Sequence, residues 1–535
     1  MSTLHPLALP EILFQVALFL QKSDLARCCS VNKTWHATMI ALVWKFIKLR
    51  GDAPKQFPPL SALTRHRHLV KNLYTRGSDI PPTYTGIHFP NLEKFAVSYS
   101  SPRMEIVNLS TLVELRMYSV DTGMQSSTVW LALMDAPQLR TLTMSGAAIL
   151  GDSLQSFTQL CARLQTVRLT MMTLLKGSSS SLSHIPTSLS TIQISSVSTP
   201  KLRTLVLKGI CGMNTSDQLE WMLHFPTLKK LCWNVYPSEG QAQVLRRYME
   251  DKAGGNRWPD LECLRLDSSM AEDEDLAAIL QRIRRLTWLS VEASYFGPRS
   301  ALIMASQHAS TIKILNIAQC QHVTGGMVAK LLKSCTQLRE LTCGRVLAQD
   351  FLNEDQVDAK AEAVAETKAA EWGCTKTLRS LKIGFEFAQS SLSSSDSVHT
   401  GADANSDHEE TDVEKSQQNL EQRQHQIFQK LSMFTSLSIL KTGISGAGEI
   451  QCGLDFRLSR GMGQLSTLKR LSMLDLCNTE QRVGTEEVDW IFQHWRMLHT
   501  IDGNLNVDAD MDSEVRGLLS SRCTLVTPAV GPTQE

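Results

Sequence analysis

The feature that most constrains this chain is a six-residue apolar pattern, L-x-x-L-x-L, that returns along most of its length. The commonest step from one copy to the next is about 26 residues, which is a typical length for a structural repeat. One such hexapeptide is common by chance, but ten at a near-constant step indicate a repeat array. The ten copies are Leu112-Leu115-Met117, Leu139-Leu142-Met144, Leu164-Val167-Leu169, Leu202-Leu205-Leu207, Leu228-Leu231-Trp233, Leu261-Leu264-Leu266, Leu286-Leu289-Val291, Ile312-Leu315-Ile317, Leu338-Leu341-Cys343 and Leu378-Leu381-Ile383.

Each copy predicts a short strand followed by a helix. In the copy at residues 312–338, Ile312, Leu315 and Ile317 would face the core from one side of a strand. Cys320 stands where leucine-rich repeats, which this pattern resembles, place Asn or Cys, a small polar side chain that meets backbone groups at the turn. Thr324 is a good N-cap for the helix that follows. We expect that helix to have one apolar face, made of Val328, Leu331 and Leu332.

The repeats resemble leucine-rich repeats, whose length is roughly 20–29 residues. Cys161 and Cys335, which each precede a strand, resemble the cysteine-containing form of that family. The resemblance implies an α/β solenoid with short parallel strands on its concave face and helices on its convex face. A second convex helix is expected over residues 272–285, with its apolar side formed by Leu276, Ile279, Leu280 and Ile283.

The array is interrupted and then resumes. Residues 359–371 are rich in Ala and Glu and predict a helix, whereas residues 389–411 are rich in Ser and acid and predict disorder. This insertion is expected to be a solvated loop without a specific function. The alternative is that Ser406 is a phosphorylation site. A helix is predicted to begin near Asp412, and its apolar stripe would be formed by Leu420, Ile427, Leu431 and Phe434. Further copies follow at Leu437-Leu440, Leu468-Leu471-Met473 and Leu498-Ile501, and Leu189-Ile192-Ile194 is an undecided candidate.

The first fifty residues predict three short helices. Pro10 suits the first turn of a helix, and Ile12, Val16 and Phe19 follow at helical spacing. Ser23 is expected to cap a second helix over residues 24–29. A third helix is expected to begin at Asn32. A bundle this small tends to leave apolar side chains in need of a partner.

The same residues resemble the F-box. The matching positions are Leu9, Pro10, Ile12 and Leu13, then Asp24 and Leu25, then Val31, Lys33 and Trp35, and finally Val43-Trp44 in place of the usual Leu-Trp ending. With the repeats behind it, the chain resembles F-box/leucine-rich-repeat proteins of a fungal type. Residues 483–495 resemble the end of such proteins.

The F-box resemblance implies a function. Such proteins bind a Skp-type adaptor, join a cullin-based ubiquitin ligase and present a protein substrate held by the repeats. The alternative is a stand-alone repeat scaffold or regulator whose N-terminal helices only cap the solenoid. Some of the implied adaptor-binding residues must instead form the module's own core, and the sequence does not divide the two groups. The implied residues are Leu7, Leu9, Pro10, Glu11, Ile12, Leu13, Val16, Leu20, Leu25, Cys28, Val31, Trp35 and Trp44.

The predicted organisation has five parts. An all-α F-box at residues 1–50 is followed by a linker and first-repeat cap at 51–90. The solenoid is expected over 91–388, the disordered insertion over 389–411, and a helix with the last repeats over 412–535.

Composition and missing motifs limit the function classes. The chain has 54 Lys and Arg against 53 Asp and Glu, a net charge of +1, which argues against nucleic acid as the main partner. It has no nucleotide-binding glycine loop, zinc-protease motif or hydrolase elbow, so we expect no catalysis, cofactor or metal. The 13 cysteines include no C-x-x-C pair and predict reduced thiols. No apolar run could span a membrane, and a cytoplasmic or nuclear location is expected.

The charged residues between the leucines predict a substrate surface. Because side chains alternate along a strand, these residues would line the concave face. They make its first half basic, and its second half is more acidic, with Glu292 and Glu340. The basic half is predicted to hold an acidic or phosphorylated segment of the substrate, unless these charges only keep the surface soluble. The basic residues are Arg116, Arg168, Lys208, Lys230 and Arg265.

Overall fold

The structure is a computed structural model that describes most of the chain. The chain divides into two units, Met1–Pro237 and Ser238–Glu535, and each is described by itself. The described residues are 9–50, 57–76, 82–98, 109–119, 127–149, 151–175, 200–234, 241–250, 258–267, 272–353, 372–387, 409–443, 453–477, 479–521 and 525–527.

The first unit opens with a module of three helices, α1 (Pro10–Ala17), α2 (Lys22–Cys28) and α3 (Lys33–Lys45). Pro10 lies in the first turn of α1, where its missing N–H costs nothing. Asn32 caps α3 as predicted, because its side chain accepts a hydrogen bond from the Trp35 N–H at 2.9 Å. The predicted cap at Ser23 is wrong. The carbonyl of Gln21 closes the first turn of α2 instead, so Ser23 lies inside the helix.

Parallel strands follow the module. Eight of the described strands of this unit pair side by side in chain order, and the short β6 and β8 pair with each other. The strands are β1 (Phe46–Arg50), β2 (Asn72–Arg76), β3 (Lys94–Ser98), β4 (Glu114–Tyr118), β5 (Thr141–Ser145), β6 (Ala148–Ile149), β7 (Thr166–Thr170), β8 (Thr173–Leu174), β9 (Thr204–Lys208) and β10 (Lys230–Asn234).

Alternation along each strand separates core from open face. In β4, Leu115 and Met117 are fully buried, whereas Arg116 between them is exposed. Leu115 lies opposite Leu142 of β5 in the register, so buried leucines form a continuous row from strand to strand. The predicted leucine-rich-repeat α/β architecture is confirmed in this respect.

The sheet begins earlier than predicted. Residues 51–90, expected to be a linker and cap, contain β2, which pairs with β1 on one side and β3 on the other. The strands therefore start at Phe46, well before residue 91. The leucine pattern missed them because Thr75 and Phe95 replace leucines at inward positions, where both are buried.

Helices of the first unit pack through large aromatic side chains. Trp130 and Phe157 meet edge to face at 5.1 Å between ring centroids, and Phe157 stacks on Trp221 at 6.3 Å. The buried Trp221 indole donates to the Thr158 hydroxyl at 2.8 Å, so its polar atom is satisfied. These helices are α4 (Leu60–His66), α5 (Pro82–Thr85), α6 (Ser127–Met134), α7 (Gly151–Arg163) and α8 (Thr215–Met222).

The second unit repeats this architecture, and its nine described strands also pair in parallel and in chain order. They are β11 (Cys263–Arg265), β12 (Trp288–Ser290), β13 (Ile314–Ile317), β14 (Glu340–Leu347), β15 (Ser380–Glu386), β16 (Ile439–Lys441), β17 (Met473–Asp475), β18 (Thr500–Asp502) and β19 (Leu525–Thr527). The helices are α9 (Gln241–Glu250), α10 (Asp273–Arg282), α11 (Pro298–Gln307), α12 (Gly325–Ser334), α13 (Ala348–Leu352), α14 (Glu409–Ser432), α15 (Thr485–His494) and α16 (Ala509–Ser520).

The repeat at residues 312–338 is confirmed in detail. Thr324 caps α12 by accepting from the Met327 N–H at 3.3 Å. The Cys320 thiol donates to the Val291 carbonyl at 3.1 Å, which is the turn contact expected of that position. The predicted apolar side of α12 is fully buried, and the helix predicted over residues 272–285 is α10.

One predicted repeat has the wrong register. Leu474 is the inward residue of β17, opposite Leu440 and Ile501, so the repeat is Leu471-Leu474-Leu476. The predicted repeat, Leu468-Leu471-Met473, starts three residues too early because Leu468 also fits the pattern. Leu468 instead follows the short 3-10 helix Met462–Thr467.

The helix predicted near Asp412 is α14, and Ile427, Leu431 and Phe434 are buried as expected, whereas Leu420 is only partly buried. Residues 359–371, most of the predicted disordered insertion and Leu189-Ile192-Ile194 lie outside the described residues.

Candidate interaction surfaces

Helix α1 has an apolar inner face that forms the core of the module. Leu13 and Ala17 are 0% and 2% exposed, and they pack with Leu25 of α2 and Met39 of α3. Leu20, just beyond α1, packs against the same group. The core of the module is therefore small.

A second side of α1, next to the buried one, is apolar as well. Leu9, Ile12, Val16 and Phe19, here named the outer stripe, recur every three or four residues and so lie along one side of the helix and the turn after it. They are 38%, 38%, 39% and 88% exposed. An exposed apolar surface of this kind marks an interaction site.

Further apolar side chains of the module are exposed. Phe14, Leu18 and Val31 join the outer stripe in this respect, so residues 9–31 hold seven of the seventeen exposed large apolar side chains in the described part of the chain. Phe14 and Leu18 were not among the residues predicted to bind an adaptor. The signal was the number of large apolar residues between Leu9 and Leu20, which is more than one buried face of a short helix can hold.

An open groove of about 830 Å³ lies between α1 and α3. Phe14 and Gln15 line it from α1, and Lys33 and Ala37 line it from α3. Glu11 lies at the same groove, so a partner would meet apolar contacts together with charges of both signs.

The structure divides the residues predicted to bind an adaptor. Leu13 and Leu25 are the members of the set that form the core of the module. Leu20, Cys28 and Trp35 are partly buried against that core, and Leu7 lies outside the described residues. The exposed members are Leu9, Pro10, Glu11, Ile12, Val16 and Val31.

Trp44 makes a contact within the chain. Its ring stacks on that of His66 in α4, with 4.9 Å between centroids. One face of the indole is therefore occupied, and its role at an adaptor surface stays a prediction.

The open faces of the two sets of strands differ in charge. At the outward strand positions of the first unit, the described residues comprise eight cations and one acid, Glu114; the cations are Lys48, Arg50, Arg76, Lys94, Arg116, Arg168, Lys208 and Lys230. In the second unit the same positions hold four of each, namely Arg265, Arg345, Lys382 and Lys441 with Glu340, Glu386, Asp475 and Asp502.

The five basic residues predicted to hold substrate do not form one row. Arg116 and Arg168 share a register row with Thr143 between them, whereas Lys230 and Lys208 lie in the rows on either side. Arg265 belongs to the second unit and pairs with Asp267.

Glu114 is held between two cations of the first unit. It lies 2.5 Å from Arg116 and 3.1 Å from Lys94. Burial acts to raise the pKa of this carboxyl, but the hydrogen bonds and charges of Arg116 and Lys94 outweigh burial and lower the pKa. Glu114 is therefore ionised at neutral pH and offsets part of the positive charge around it.

The described part of the chain offers neither a metal site nor a membrane-spanning helix. It contains no group of three or more His, Cys, Asp or Glu side chains placed to hold a metal ion. Among the described helices, none combines the length and apolar content that crossing a membrane requires.

Comparison with known proteins gives distant similarities only. No family model and no curated protein matches the chain. Solved structures that resemble it include a leucine-rich-repeat protein of Leptospira interrogans (12% identity, TM-score 0.37, 95% of this chain and 98% of that one). Others are an internalin of Listeria monocytogenes (14%, 0.29, 88% and 89%) and the Toll–Spatzle complex of Drosophila (12%, 0.36, 91% and 60%). Similarity this distant supports no statement about function.

Proposed function

We propose that helices α1–α3 form an F-box-type module that binds a Skp-type adaptor. The chain would then be the non-catalytic substrate-recognition subunit of a cullin-based ubiquitin ligase, with its repeats holding a protein substrate. The observation that carries this proposal is the outer stripe, an exposed apolar surface on α1 that lies about 100° around the helix axis from the buried face of the same helix.

The energetics favour a partner on this surface. Burial of apolar area contributes about 25 cal/mol per Å², and covering a Leu, Ile, Val or Phe side chain fully contributes about 1.5–3 kcal/mol. Leu9, Ile12 and Val16 are each more than one third exposed. If a partner covers them, each of the three side chains contributes part of its full burial energy to binding.

The alternative function is a stand-alone scaffold whose helices only cap the repeats. A cap needs one apolar face, turned toward the repeat that it covers. Helix α1 has a buried face made of Leu13 and Ala17 and a second, exposed one, and this second face has no role in a cap. The F-box-like residues and the outer stripe therefore favour docking over capping.

The test is titration calorimetry of the full chain with a purified Skp-type adaptor. Ile12→Lys combined with Val16→Lys places two charges on the outer stripe. We expect this variant to bind at least about tenfold more weakly, a loss of roughly 1.4 kcal/mol or more. Both side chains are exposed, so the variant should still fold.

The matched control is Leu302→Lys combined with Met497→Lys. These apolar side chains are 53% and 61% exposed but lie in the second unit. The control should bind the adaptor like the wild type. Absence of binding by the wild type would leave the capping function standing, and equal binding by the Ile12/Val16 variant would remove the outer stripe from the interface.

A further inference from the structure

A cleft of about 400 Å³ opens on the outward face of strands β1–β4. The register aligns Lys48, Tyr74, Ala96 and Arg116 across these four strands. Ala96 is the short member of this row, so its small side chain leaves a depression between Tyr74 and Arg116. We name this depression, with Lys48, Arg50 and Lys94 at its sides, the basic cleft.

The cations of the basic cleft are only partly neutralised. Lys94 and Arg116 share Glu114, whereas Lys48 and Arg50 make no ion pair with any described residue. The ammonium of Lys48 lies 5.3 Å from the centroid of the Phe46 ring. The Nε atom of Arg50 is buried and finds no hydrogen-bond acceptor among the described residues. A buried donor without an acceptor is costly unless a ligand supplies one.

We propose that the basic cleft binds an acidic peptide segment of a partner protein, in which carboxylates or phosphoserines meet Lys48 and Arg50. That this partner is the substrate to be ubiquitinated rests on the proposed function above. Neighbouring strands lie about 4.8 Å apart, so the row from Lys48 to Arg116 spans roughly 14 Å and matches about four residues of extended chain. Arg50 can hold either acid through its guanidinium, a geometry that suits carboxylate and phosphate alike.

A peptide fits the cleft better than a nucleic acid does. Glu114 lies inside the cleft, and its carboxylate can accept hydrogen bonds from peptide N–H groups, donors that a phosphodiester backbone lacks. Asn72, also in the cleft, offers both a donor and an acceptor to a peptide group. The exposed ring of Phe46 at the edge adds an apolar contact for a side chain between two acids.

The test measures fluorescence anisotropy of labelled peptides with the full chain, without adaptor. The probes are a peptide of alternating Glu and Ser about eight residues long, twice the span of the cleft, its phosphoserine form, its Gln-for-Glu form and an oligothymidylate of equal length. We expect both acidic peptides to bind, the Gln peptide to bind at least about tenfold more weakly, and added salt to weaken binding. The ratio of the two acidic affinities identifies the preferred acid.

Two variants locate the site. Lys48→Glu with Arg50→Glu should reduce acidic-peptide affinity at least about tenfold, and Ala96→Leu, which fills the depression without changing charge, should also reduce it. The matched control is Arg284→Glu with Arg285→Glu, the same charge change on exposed residues of the second unit. It should reduce affinity less than about threefold.

Adaptor binding by each variant provides an independent check of folding and of the proposed function, because it uses α1 rather than the strands. Equal losses from the two double variants, or tighter binding of the oligothymidylate than of either acidic peptide, would overturn the proposal. Loss of peptide binding with unchanged adaptor binding would support it.

Discussion

The N-terminal module and the repeats are built from the same apolar residue types but use them differently. In the repeat around β13, Ile312, Leu315 and Ile317 are all fully buried. In α1, Leu13 is fully buried while its neighbour Ile12 is 38% exposed. The apolar side chains of a repeat are buried against the neighbouring repeats, whereas the core of the module buries only some of its apolar side chains.

This contrast separates stability from recognition. Apolar residues of the repeats hold the fold together, and those of the outer stripe are available to a partner. If this division is right, substitutions of equal chemistry in the two regions should have opposite consequences for unfolding and for binding.

The largest expected effect comes from truncating one leucine in the repeat core. Leu315→Ala should lower the free energy of unfolding by about 2–5 kcal/mol, because it removes buried methyl groups and leaves a cavity. Ile12→Ala should lower it by less than about 0.5 kcal/mol. Urea denaturation followed by circular dichroism measures both. A loss at Ile12 as large as that at Leu315 would mean that the outer stripe is packed within the chain.

An intermediate effect is expected from the helix caps. Asn32→Ala and Thr324→Ala each remove a side-chain acceptor from the first turn of a helix, α3 in the module and α12 in the repeats. Each should cost about 1 kcal/mol locally, seen as faster hydrogen exchange of that helix alone. Asn32→Asp, which keeps an acceptor, is the matched control and should leave exchange of α3 nearly unchanged. Faster exchange in both regions from either variant would show that module and repeats unfold together.

The smallest expected effect is one of pH, and it acts on the repeats. His308 is fully buried, and its ring lies 3.0 Å from the Leu280 carbonyl through Nε2. Burial lowers the pKa of His308, and the Leu280 hydrogen bond offsets this only in part. Since the folded pKa lies below the unfolded value of about 6.5, neutral His308 contributes fully above that pH, and its contribution is lost as the pH falls through the folded pKa.

Melting temperatures at about pH 7.5 and pH 5.5 test this expectation. The decrease on acidification should be smaller for His308→Gln than for the wild type, because Gln keeps a hydrogen-bond donor but does not titrate. An equal decrease for wild type and His308→Gln would exclude His308 as the acid-sensitive group.

Much of the fold could be predicted because burial dictates the pattern. Leu315 and Leu381 must face the core, and their spacing shows it in the sequence. Thr324 and Asn32 are capping residues by chemistry alone. Prediction failed where two interpretations called for the same residue type at the same position. Leu468 and Leu471 fit two registers, and only packing against β16 and β18 selects between them.

The surfaces were less predictable than the core. Ile12 and Leu13 are adjacent and equally apolar, so the sequence places both in the docking set, and only helix packing separates them. Lys48 and Arg50 went unnoticed because β1 lacks the leucine pattern, so their strand was not recognised. The depression at Ala96 depends on how three strands align, which no single repeat reveals.

The most direct test of the central claim is hydrogen exchange of the full chain with and without a Skp-type adaptor, read by mass spectrometry. We expect exchange across residues 10–28 to slow by about tenfold or more on binding, while the repeat at residues 312–334 is unchanged. Protection confined to the repeats, or bound adaptor with unchanged exchange in α1 and α2, would contradict the claim that the outer stripe is the docking surface.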